Sequence, residues 1–264
     1  MVDGEVVAQL RAAGCVFAED EARLIRETAT TPADVEAMVV RRVAGEPLEH
    51  VLGWAEFAGL RVAVAPGVFV PRHRSELLVD LARQRVRPGS VVVDLCCGTG
   101  ALGLAVVAAT EGVELHAADV DPVAVACARR NVEPAGRLHE GDLYDALPGE
   151  LRGRVDVLLA SPPYVPTEAI ALMPPEARDH EPRTALDGGG DGLALVRRIA
   201  AGAPRWLSGD GVVLIEMSAA QAAAAVDAVK DAGLAAHALH DDEGEATVVV
   251  AEAAETESRH LRSG

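Results

Sequence analysis

The segment from Asp94 to Gly100, which reads Asp-Leu-Cys-Cys-Gly-Thr-Gly, contains residue types that suit a nucleotide-like ligand. Gly98, Gly100 and Gly103 satisfy a Gly-x-Gly-x-x-Gly spacing. Glycines at these positions permit a tight turn and let a ligand approach the backbone at a helix N-terminus. Taken alone, this spacing fits a nucleotide site and a glycine-rich turn without function about equally well.

Three aspartates, each at or just after the end of a predicted strand, narrow the choice of ligand. Asp119 lies about 21 residues after Gly98, where a carboxylate can accept hydrogen bonds from a ribose diol. Asp94 can orient a cationic amino-acid ligand directly or through water, whereas a dinucleotide pyrophosphate would be repelled there. Asp142 follows a short third strand and can accept a hydrogen bond from an adenine amino group. Each aspartate alone could equally be a cap or a solvated turn residue, but together they favour S-adenosylmethionine over a nicotinamide cofactor.

A second segment, Ser161-Pro162-Pro163-Tyr164, directly follows the apolar run from Val155 to Ala160. The prolines fix the backbone and remove donors, which leaves carbonyl groups free to accept hydrogen bonds. An NH2 group held between such a carbonyl and the Ser161 hydroxyl would direct its lone pair at a methyl sulfonium, and Tyr164 could stack on a planar acceptor. The alternative is a proline-rich loop without function. We predict catalytic roles for Ser161, Pro162 and Tyr164.

The two predicted sites are made of the following residues. The cofactor site comprises Asp94, Cys96, Cys97, Gly98, Thr99, Gly100, Asp119, Asp142, Leu143 and Ser161. The acceptor site comprises Arg72, Ser161, Pro162, Pro163 and Tyr164. No metal is expected in either.

The elements that must position these residues alternate between apolar strands and helices after about residue 80. Strands are predicted at Val91 to Leu95, Val113 to Ala118, Val155 to Ala160, Val212 to Met217 and Thr247 to Ala251. Helices are predicted at Leu102 to Ala109, Pro122 to Asn131, Leu193 to Ala203 and Ala219 to Ala232. This alternation predicts an α/β fold with a mostly parallel sheet, whose ligands bind at the carboxyl ends of the strands.

The chain before this region has a different pattern. Apolar residues at helical spacing, with Thr31 as N-cap and Pro32 at the first helical position, predict a small helical bundle over residues 1–52. Short apolar alternations broken by glycine and proline predict a β-hairpin linker over residues 53–75. The α/β domain is expected over residues 76–251, and a disordered tail, charged and without periodicity, over residues 252–264.

Composition and charge argue against several classes of protein. The 264 residues carry a net charge of -17, which disfavours nucleic acid as a partner because such binding depends on Lys and Arg. The four cysteines lack the spacing of a zinc site or a secreted disulfide framework. No apolar run reaches membrane-spanning length, and the N-terminus does not resemble a signal peptide. We expect a cytoplasmic protein that does not bind membranes.

The motifs taken together resemble those of the HemK-type release-factor glutamine methyltransferases. The similarity runs from about Glu46 to Ala251 and includes Gly45 to Leu48, Pro66 to Arg72, Asp94 to Gly100, Ser161 to Tyr164 and Glu181 to Gly189. The resemblance implies a class I, Rossmann-like, seven-stranded methyltransferase domain preceded by a helical domain that recognises the acceptor. It also implies S-adenosylmethionine as methyl donor, with S-adenosylhomocysteine as product. The implied acceptor is a glutamine side-chain amide in a protein such as a peptide chain release factor. By resemblance, Asp119 would bind the ribose and Asp142 would lie near the adenine.

Three positions depart from the family pattern. Ser161 replaces the asparagine of Asn-Pro-Pro-Tyr, Arg74 replaces an acid, and Cys96 replaces the first glycine of the cofactor loop. Asparagine can both accept from and donate to a glutamine amide, whereas serine is shorter. Other hypotheses are therefore kept open: methylation of a small-molecule amine, guanidine or amide, methylation of a DNA amino group, an adenosine-ligand binding protein without catalysis, and an NAD-dependent oxidoreductase. His180 is expected to be a structural loop residue rather than a base.

Overall fold

The computed structural model describes residues 3–133, 135–241 and 246–253. It begins with four helices: α1 (Asp3–Ala12), α2 (Ala18–Thr28), α3 (Pro32–Val43) and α4 (Leu48–Leu52). Their apolar faces bury a separate small core that includes Leu10, Ile25 and Val39. The predicted start of α3 is confirmed, since Thr31 and Asp34 form a capping box. The sequence interpretation did not include α4, which has only five residues.

A two-stranded hairpin follows, formed by β1 (Trp54–Phe57) and β2 (Leu60–Ala63). Its two-residue turn has positive φ at Ala58 (50°) and at Gly59 (79°), the geometry that matches the twist of antiparallel strands. The hairpin is shorter than the predicted apolar alternation, because the chain beyond Ala63 forms no further strand before residue 75. Phe57 and Val62 are fully buried in the core of the large domain, so the hairpin packs against that domain.

The large domain contains a seven-stranded sheet in the described residues. The strands are β3 (Val91–Leu95), β4 (Glu114–Asp119), β5 (Gly136–Glu140), β6 (Val155–Ala160), β7 (Leu207–Glu216), β8 (Leu234–His240) and β9 (Thr247–Ala253). The helices are α5 (Glu76–Arg83), α6 (Ala101–Ala108), α7 (Pro122–Val132), α8 (Pro175–His180), α9 (Ala194–Gly202) and α10 (Ala222–Asp231). The strand order is β5-β4-β3-β6-β7-β9-β8, with β9 antiparallel to both of its neighbours. The predicted Rossmann-like α/β fold is confirmed.

The central strands form the interior of this domain. All five residues of β3 are buried, as expected for a strand covered by helices on both faces. One core cluster lies on each face of the sheet. The direction of the strand order reverses between β3 and β6, and a crevice at the carboxyl ends of the strands is expected at such a reversal.

Several boundaries differ from the sequence predictions. Strand β8 was not predicted, because its alternation of alanine and histidine is weakly apolar and it pairs with β9 alone. His180 ends helix α8 and is not a loop residue as predicted. Strand β9 continues through Glu252 and Ala253, so the predicted disordered tail begins two residues too early. Residues 254–264 lie outside the described part of the chain. None of the described helices combines the length and apolar character needed to cross a bilayer.

Candidate active site

A cavity of about 460 Å³ lies at the carboxyl ends of the parallel strands. It is lined by Arg72, Cys96, Cys97, Gly98, Thr99, Asp119, Asp142, Leu143 and all four residues from Ser161 to Tyr164. Of the predicted site residues, only Asp94 and Gly100 are absent from its lining. The structure thus brings the predicted cofactor and acceptor segments together around one space.

The loop after β3 adopts a backbone conformation that favours glycine. The φ angles are 55° at Cys96, 56° at Gly98 and 76° at Gly100, all in the left-handed region. A Cβ atom at Gly100 would lie 2.3 Å from Cγ2 of Val132 on α7, so this position also lacks room for a side chain. Gly100 therefore shapes the entry to α6 and does not line the cavity, while Cys96 adopts a strained angle for a non-glycine residue.

Asp119, the last residue of β4, fastens this loop. Its Oδ2 accepts a hydrogen bond from the Gly98 N–H (2.8 Å), and its Oδ1 accepts one from the Asp121 N–H (2.9 Å). Burial raises the pKa of Asp119 above its ordinary value, although these backbone donors oppose the rise. Each carboxylate oxygen retains a further lone pair, and the side chain lines the cavity. A ligand diol could therefore donate to it without displacing the loop.

Asp94 lies behind the loop and is completely buried. Its Oδ2 accepts a hydrogen bond from the Gly103 N–H at the start of α6 (2.9 Å), whereas its buried Oδ1 has no partner among the described residues. Burial raises the pKa of Asp94 to about 7. Because the carboxylate does not line the cavity, contact with a ligand through water fits this geometry better than direct contact does.

Asp142 and Leu143 follow β5 at the far side of the cavity. The Asp142 carboxylate is half-exposed and accepts a hydrogen bond from Nη2 of Arg198 (2.8 Å). Leu143 is buried with a φ of 49°, which is an unusual angle for a residue with a branched side chain. Backbone strain of this kind often marks a ligand site, so the pair remains a candidate for contact with a planar base.

The Ser161-Pro162-Pro163-Tyr164 loop is supported by a glycine-rich segment around Gly188 and Gly192. Val165 and Leu186 are joined by a backbone hydrogen bond of 3.0 Å, and the Gly188 N–H donates to the Val165 carbonyl at 2.9 Å. A Cβ atom would lie 2.7 Å from the Pro163 carbonyl oxygen if added at Gly188, and 2.2 Å from the Tyr164 carbonyl oxygen if added at Gly192. Sequence reasoning used part of this segment only as a family marker and missed its structural role.

The Ser161 side chain belongs to this loop, but its hydroxyl makes no hydrogen bond that stabilises the loop in the described part of the chain. The residue is half-buried, and its hydroxyl has no hydrogen-bond partner in the part of the chain that the structure describes. Both prolines after it are buried. The hydroxyl is therefore available to a molecule in the cavity.

The Tyr164 hydroxyl is fixed by two charged residues from distant segments. It accepts a hydrogen bond from Nη2 of Arg74 (2.9 Å) and donates to Oε1 of Glu216 (3.3 Å). Nε of Arg74 also lies 3.4 Å from the same Glu216 oxygen. Burial raises the pKa of Tyr164 to about 12, so the hydroxyl stays protonated at neutral pH. Sequence reasoning missed Glu216, although a carboxylate at the end of an apolar strand was the same signal that identified Asp94.

Arg72 is also ion-paired at the edge of the cavity. Its Nη2 lies 2.5 Å from Oε1 of Glu181, which also accepts a hydrogen bond from the Val70 N–H at 3.3 Å. The Glu181 side chain is buried, its Oε2 has no partner among the described residues, and burial raises its pKa. Arg72 therefore lines the cavity as predicted, but part of its guanidinium is engaged by Glu181.

Arg42 joins the N-terminal helices to the edge of the cavity. Arg42 of α3 pairs with Glu21 of α2 (2.7 Å) and with Glu176 of α8 (2.6 Å), and Glu176 lines the cavity. Arg42 and Glu21 are largely buried and Glu176 is exposed, and together they connect the two parts of the molecule near the acceptor loop. A large acceptor that enters the cavity would pass close to these helices.

The strand order and the cavity at the carboxyl ends of the strands define a class I methyltransferase. Residues 59–209 match the family model described as the methyltransferase small domain. A release factor glutamine methyltransferase of Streptomyces coelicolor is 42% identical over 200 residues, which cover 72% of this chain and 71% of that protein. A 4-amino-L-phenylalanine/4-methylamino-L-phenylalanine methyltransferase of Streptomyces pristinaespiralis is 36% identical over 208 residues, which cover 76% of this chain and 70% of that protein.

Among solved structures, a methyltransferase from Pyrococcus furiosus has a TM-score of 0.55 and 17% identity. The match covers 83% of this chain and 98% of that one, and it shows the fold alone. On the sequence matches, the chain belongs to the family of the release factor glutamine methyltransferases and is a methyltransferase.

Proposed function

We propose that this protein uses S-adenosylmethionine to methylate the side-chain amide nitrogen of a glutamine in a protein such as a peptide chain release factor. The observation that carries the proposal is the pairing of β3 with β6, in which Leu95 lies opposite Ala160. The next residues along these neighbouring strands are Cys96 and Ser161. The loop suited to the methyl donor and the loop suited to the acceptor therefore begin side by side and line one cavity.

The residues around the cofactor part of the cavity fit this methyl donor. S-adenosylmethionine supplies an electrophilic methyl group on a sulfonium. Asp119 would accept hydrogen bonds from the ribose, and Asp142 with Leu143 would lie at the adenine. The unpartnered Oδ1 of Asp94 suits a water that connects it to a cationic amino-acid group. The glycines leave the backbone open to close approach, as such a ligand requires.

The acceptor residues would act by orientation. The Ser161 hydroxyl oxygen and a carbonyl of the proline segment would accept hydrogen bonds from the acceptor NH2 group and set the direction of its lone pair. The Tyr164 ring, fixed through its hydroxyl, would contact the planar amide. Alignment of two reactants can contribute roughly 7–11 kcal/mol. As the methyl group leaves the sulfonium for the amide nitrogen, that nitrogen would release one proton to water, and S-adenosylhomocysteine would be the leaving group. His180 has no assigned role in this scheme.

The contact of Arg42 with Glu176 supports a protein acceptor, because it places the helices of residues 1–52 near the cavity. We propose that these helices recognise the protein that carries the glutamine and that the reaction takes place in the cytoplasm. The net charge of -17 argues against DNA as the acceptor. A second candidate is an aromatic amine of a small molecule, which is favoured by the name of the Streptomyces pristinaespiralis relative and by the shorter Ser161 side chain.

The test is mass spectrometry of a release factor incubated with S-adenosylmethionine and either the wild-type protein or Ser161→Asn. We expect one methyl group on a glutamine, added at an equal or higher rate by Ser161→Asn because asparagine can both accept and donate. The small amine 4-aminophenylalanine is tested in parallel as the alternative methyl acceptor. Methylation of this amine by the wild-type protein, together with no methylation of the release factor, would replace the proposed acceptor with the second candidate.

A further inference from the structure

A glutamine amide makes demands that Ser161 alone cannot meet. The amide offers N–H donors on its nitrogen and lone pairs on its carbonyl oxygen. Serine provides one oxygen and one proton, and the oxygen is needed for the NH2 group if the nitrogen is to be oriented. The carbonyl oxygen of the amide then needs a donor from another residue, because a buried carbonyl without a partner costs free energy.

Arg74 is a donor at the wall of this cavity. It lines the same cavity as the Ser161 to Tyr164 loop, and its side chain is 42% exposed. It comes from the segment that follows the hairpin, and it is one of the three positions at which the sequence departs from the family pattern. Its contact with the Tyr164 hydroxyl (2.9 Å) connects it to the loop that carries Ser161.

The guanidinium of Arg74 is both oriented and incompletely used. One N–H of Nη2 is directed at the Tyr164 hydroxyl, and Nε is directed at the buried Glu216 carboxylate. No other partner of Arg74 occurs among the described residues, so further N–H groups of this planar cation remain available. Glu216 balances the positive charge, and a side chain held in this way loses little conformational entropy when it binds a ligand.

We propose that Arg74 is a specificity-determining residue that donates a hydrogen bond to the carbonyl oxygen of the acceptor amide, which leaves the Ser161 oxygen to accept from the amide NH2 group. The inference rests on the proposed function and narrows it. An acceptor is selected for an oxygen next to its nitrogen, as in a primary amide. Alkylamines and guanidines lack that oxygen and carry a positive charge that Arg74 repels.

A double-mutant cycle on a release factor tests this inference. The proteins are the wild type, Arg74→Met, Ser161→Asn and the double variant, with Arg74→Lys as a second replacement that retains the charge. Arg74→Met is expected to raise the KM for the release factor by about ten-fold or more, the loss typical of a hydrogen bond with a charged donor. Arg74→Lys should lie between wild type and Arg74→Met. Affinity for S-adenosylmethionine, measured by calorimetry, should change by less than about two-fold and also reports that each variant is folded.

The decisive comparison is whether Ser161→Asn restores the KM that Arg74→Met impairs. When Ser161→Asn is added to Arg74→Met, it should reverse at least half of the increase in log KM that Arg74→Met causes. The reason is that the asparagine amide supplies the missing donor. If Arg74 acts only by holding Tyr164, Ser161→Asn cannot repair that defect. A change in KM by the same factor when Ser161→Asn is introduced into the wild type and into Arg74→Met would then overturn the inference while the proposed function stands. If the wild type does not methylate the release factor at all, both the proposed function and this role of Arg74 are rejected.

Discussion

The two halves of the cavity are built in different ways. The cofactor half consists of loops that directly follow β3, β4 and β5, and hydrogen bonds from backbone N–H groups hold it together, as in the contact of the Gly98 N–H with the Asp119 carboxylate. The acceptor half has backbone contacts as well, but it also depends on side chains that are far apart in sequence. Its contacts join Arg74 with Tyr164 and with Glu216, which are 90 and 142 residues away from it.

This difference has a physical consequence for how each half can change. Backbone hydrogen bonds and positive φ angles restrict the cofactor loop to a few residue types. The loop can therefore be recognised from one short segment of the sequence. A side-chain contact across the fold can be replaced when both partners change, which allows the acceptor half to carry Ser161 and Arg74. We therefore expect substitutions to separate cofactor binding from methyl transfer.

The largest separation of the effects on cofactor binding and on methyl transfer is expected from substitutions of two glycines, one in each half of the cavity. A Cβ atom at Gly192 would lie 2.1 Å from Nε2 of Gln221 and 2.2 Å from the Tyr164 carbonyl oxygen, at a φ of 77°. Gly192→Ala should therefore displace the acceptor loop and lower methyl transfer by about 100-fold, the effect of a misplacement of about 1 Å. Its affinity for S-adenosylmethionine, measured by calorimetry, should stay within about two-fold of wild type.

Gly100→Ala is the matched change in the cofactor half. Its Cβ atom would meet Val132 at 2.3 Å, so we expect affinity for S-adenosylmethionine to fall by at least about ten-fold. Gly209→Ala, where nothing lies within 4 Å of the added atom, serves as the neutral control. Loss of cofactor affinity in Gly192→Ala equal to that in Gly100→Ala would show that the two halves are not separable.

Asp119→Ala should have the next largest effect, and it should act on cofactor binding. The loss of charge-assisted hydrogen bonds is expected to weaken S-adenosylmethionine binding by about 1.5–3 kcal/mol, which calorimetry can measure. Asp142→Ala is the comparison, with a smaller expected loss because its carboxylate is half-exposed and pairs with Arg198. An unchanged affinity in folded Asp119→Ala would remove this residue from the cofactor site.

The same contrast explains what the sequence could and could not predict. Strands β3 and β6 were predicted to the residue, since continuous apolar runs end there at polar ligand loops. Glu216 ends an apolar strand and could have been named as a candidate, but its contact with Tyr164 could not be predicted, and neither could that of Gly192, because sequence spacing does not encode which distant segments meet. The edge strand β8 was missed because its residues face a less apolar environment.

A smaller, pH-dependent effect is expected from Asp94. Burial raises the pKa of this carboxyl to about 7 in the absence of ligand, above its ordinary value of 3.8. A carboxyl with a raised pKa stabilises the folded protein at low pH and loses this contribution as the pH rises through about 7. A bound cation favours the ionised form, so S-adenosylmethionine should bind several-fold more tightly at about pH 8 than at about pH 6.

The control for this pH dependence is Asp94→Asn, which cannot ionise. Calorimetric titrations of this variant at the two pH values should give affinities that differ less than those of the wild type. Since the amide is nearly the same size as the carboxyl, the buried packing around β3 is preserved. Equal pH dependence in the wild type and in Asp94→Asn would show that another group titrates on cofactor binding.

The smallest expected effect concerns Cys96, at the point where the two halves meet. Its φ of 55° is strained for a residue with a Cβ atom, whereas glycine adopts this angle freely. Cys96→Gly should therefore raise the free energy of unfolding by about 0.5–1 kcal/mol, since relief of the strain exceeds the entropy that glycine adds to the unfolded chain. Denaturant titration of the ligand-free protein measures this change.

Cys97→Gly is the matched control. It also adds a glycine, but it removes a buried side chain at a position without a positive φ, so the free energy of unfolding should fall. If Cys96→Gly is as destabilising as Cys97→Gly, the thiol of Cys96 contributes packing that outweighs its backbone strain, and the cysteine would be a stabilising feature of the cofactor loop.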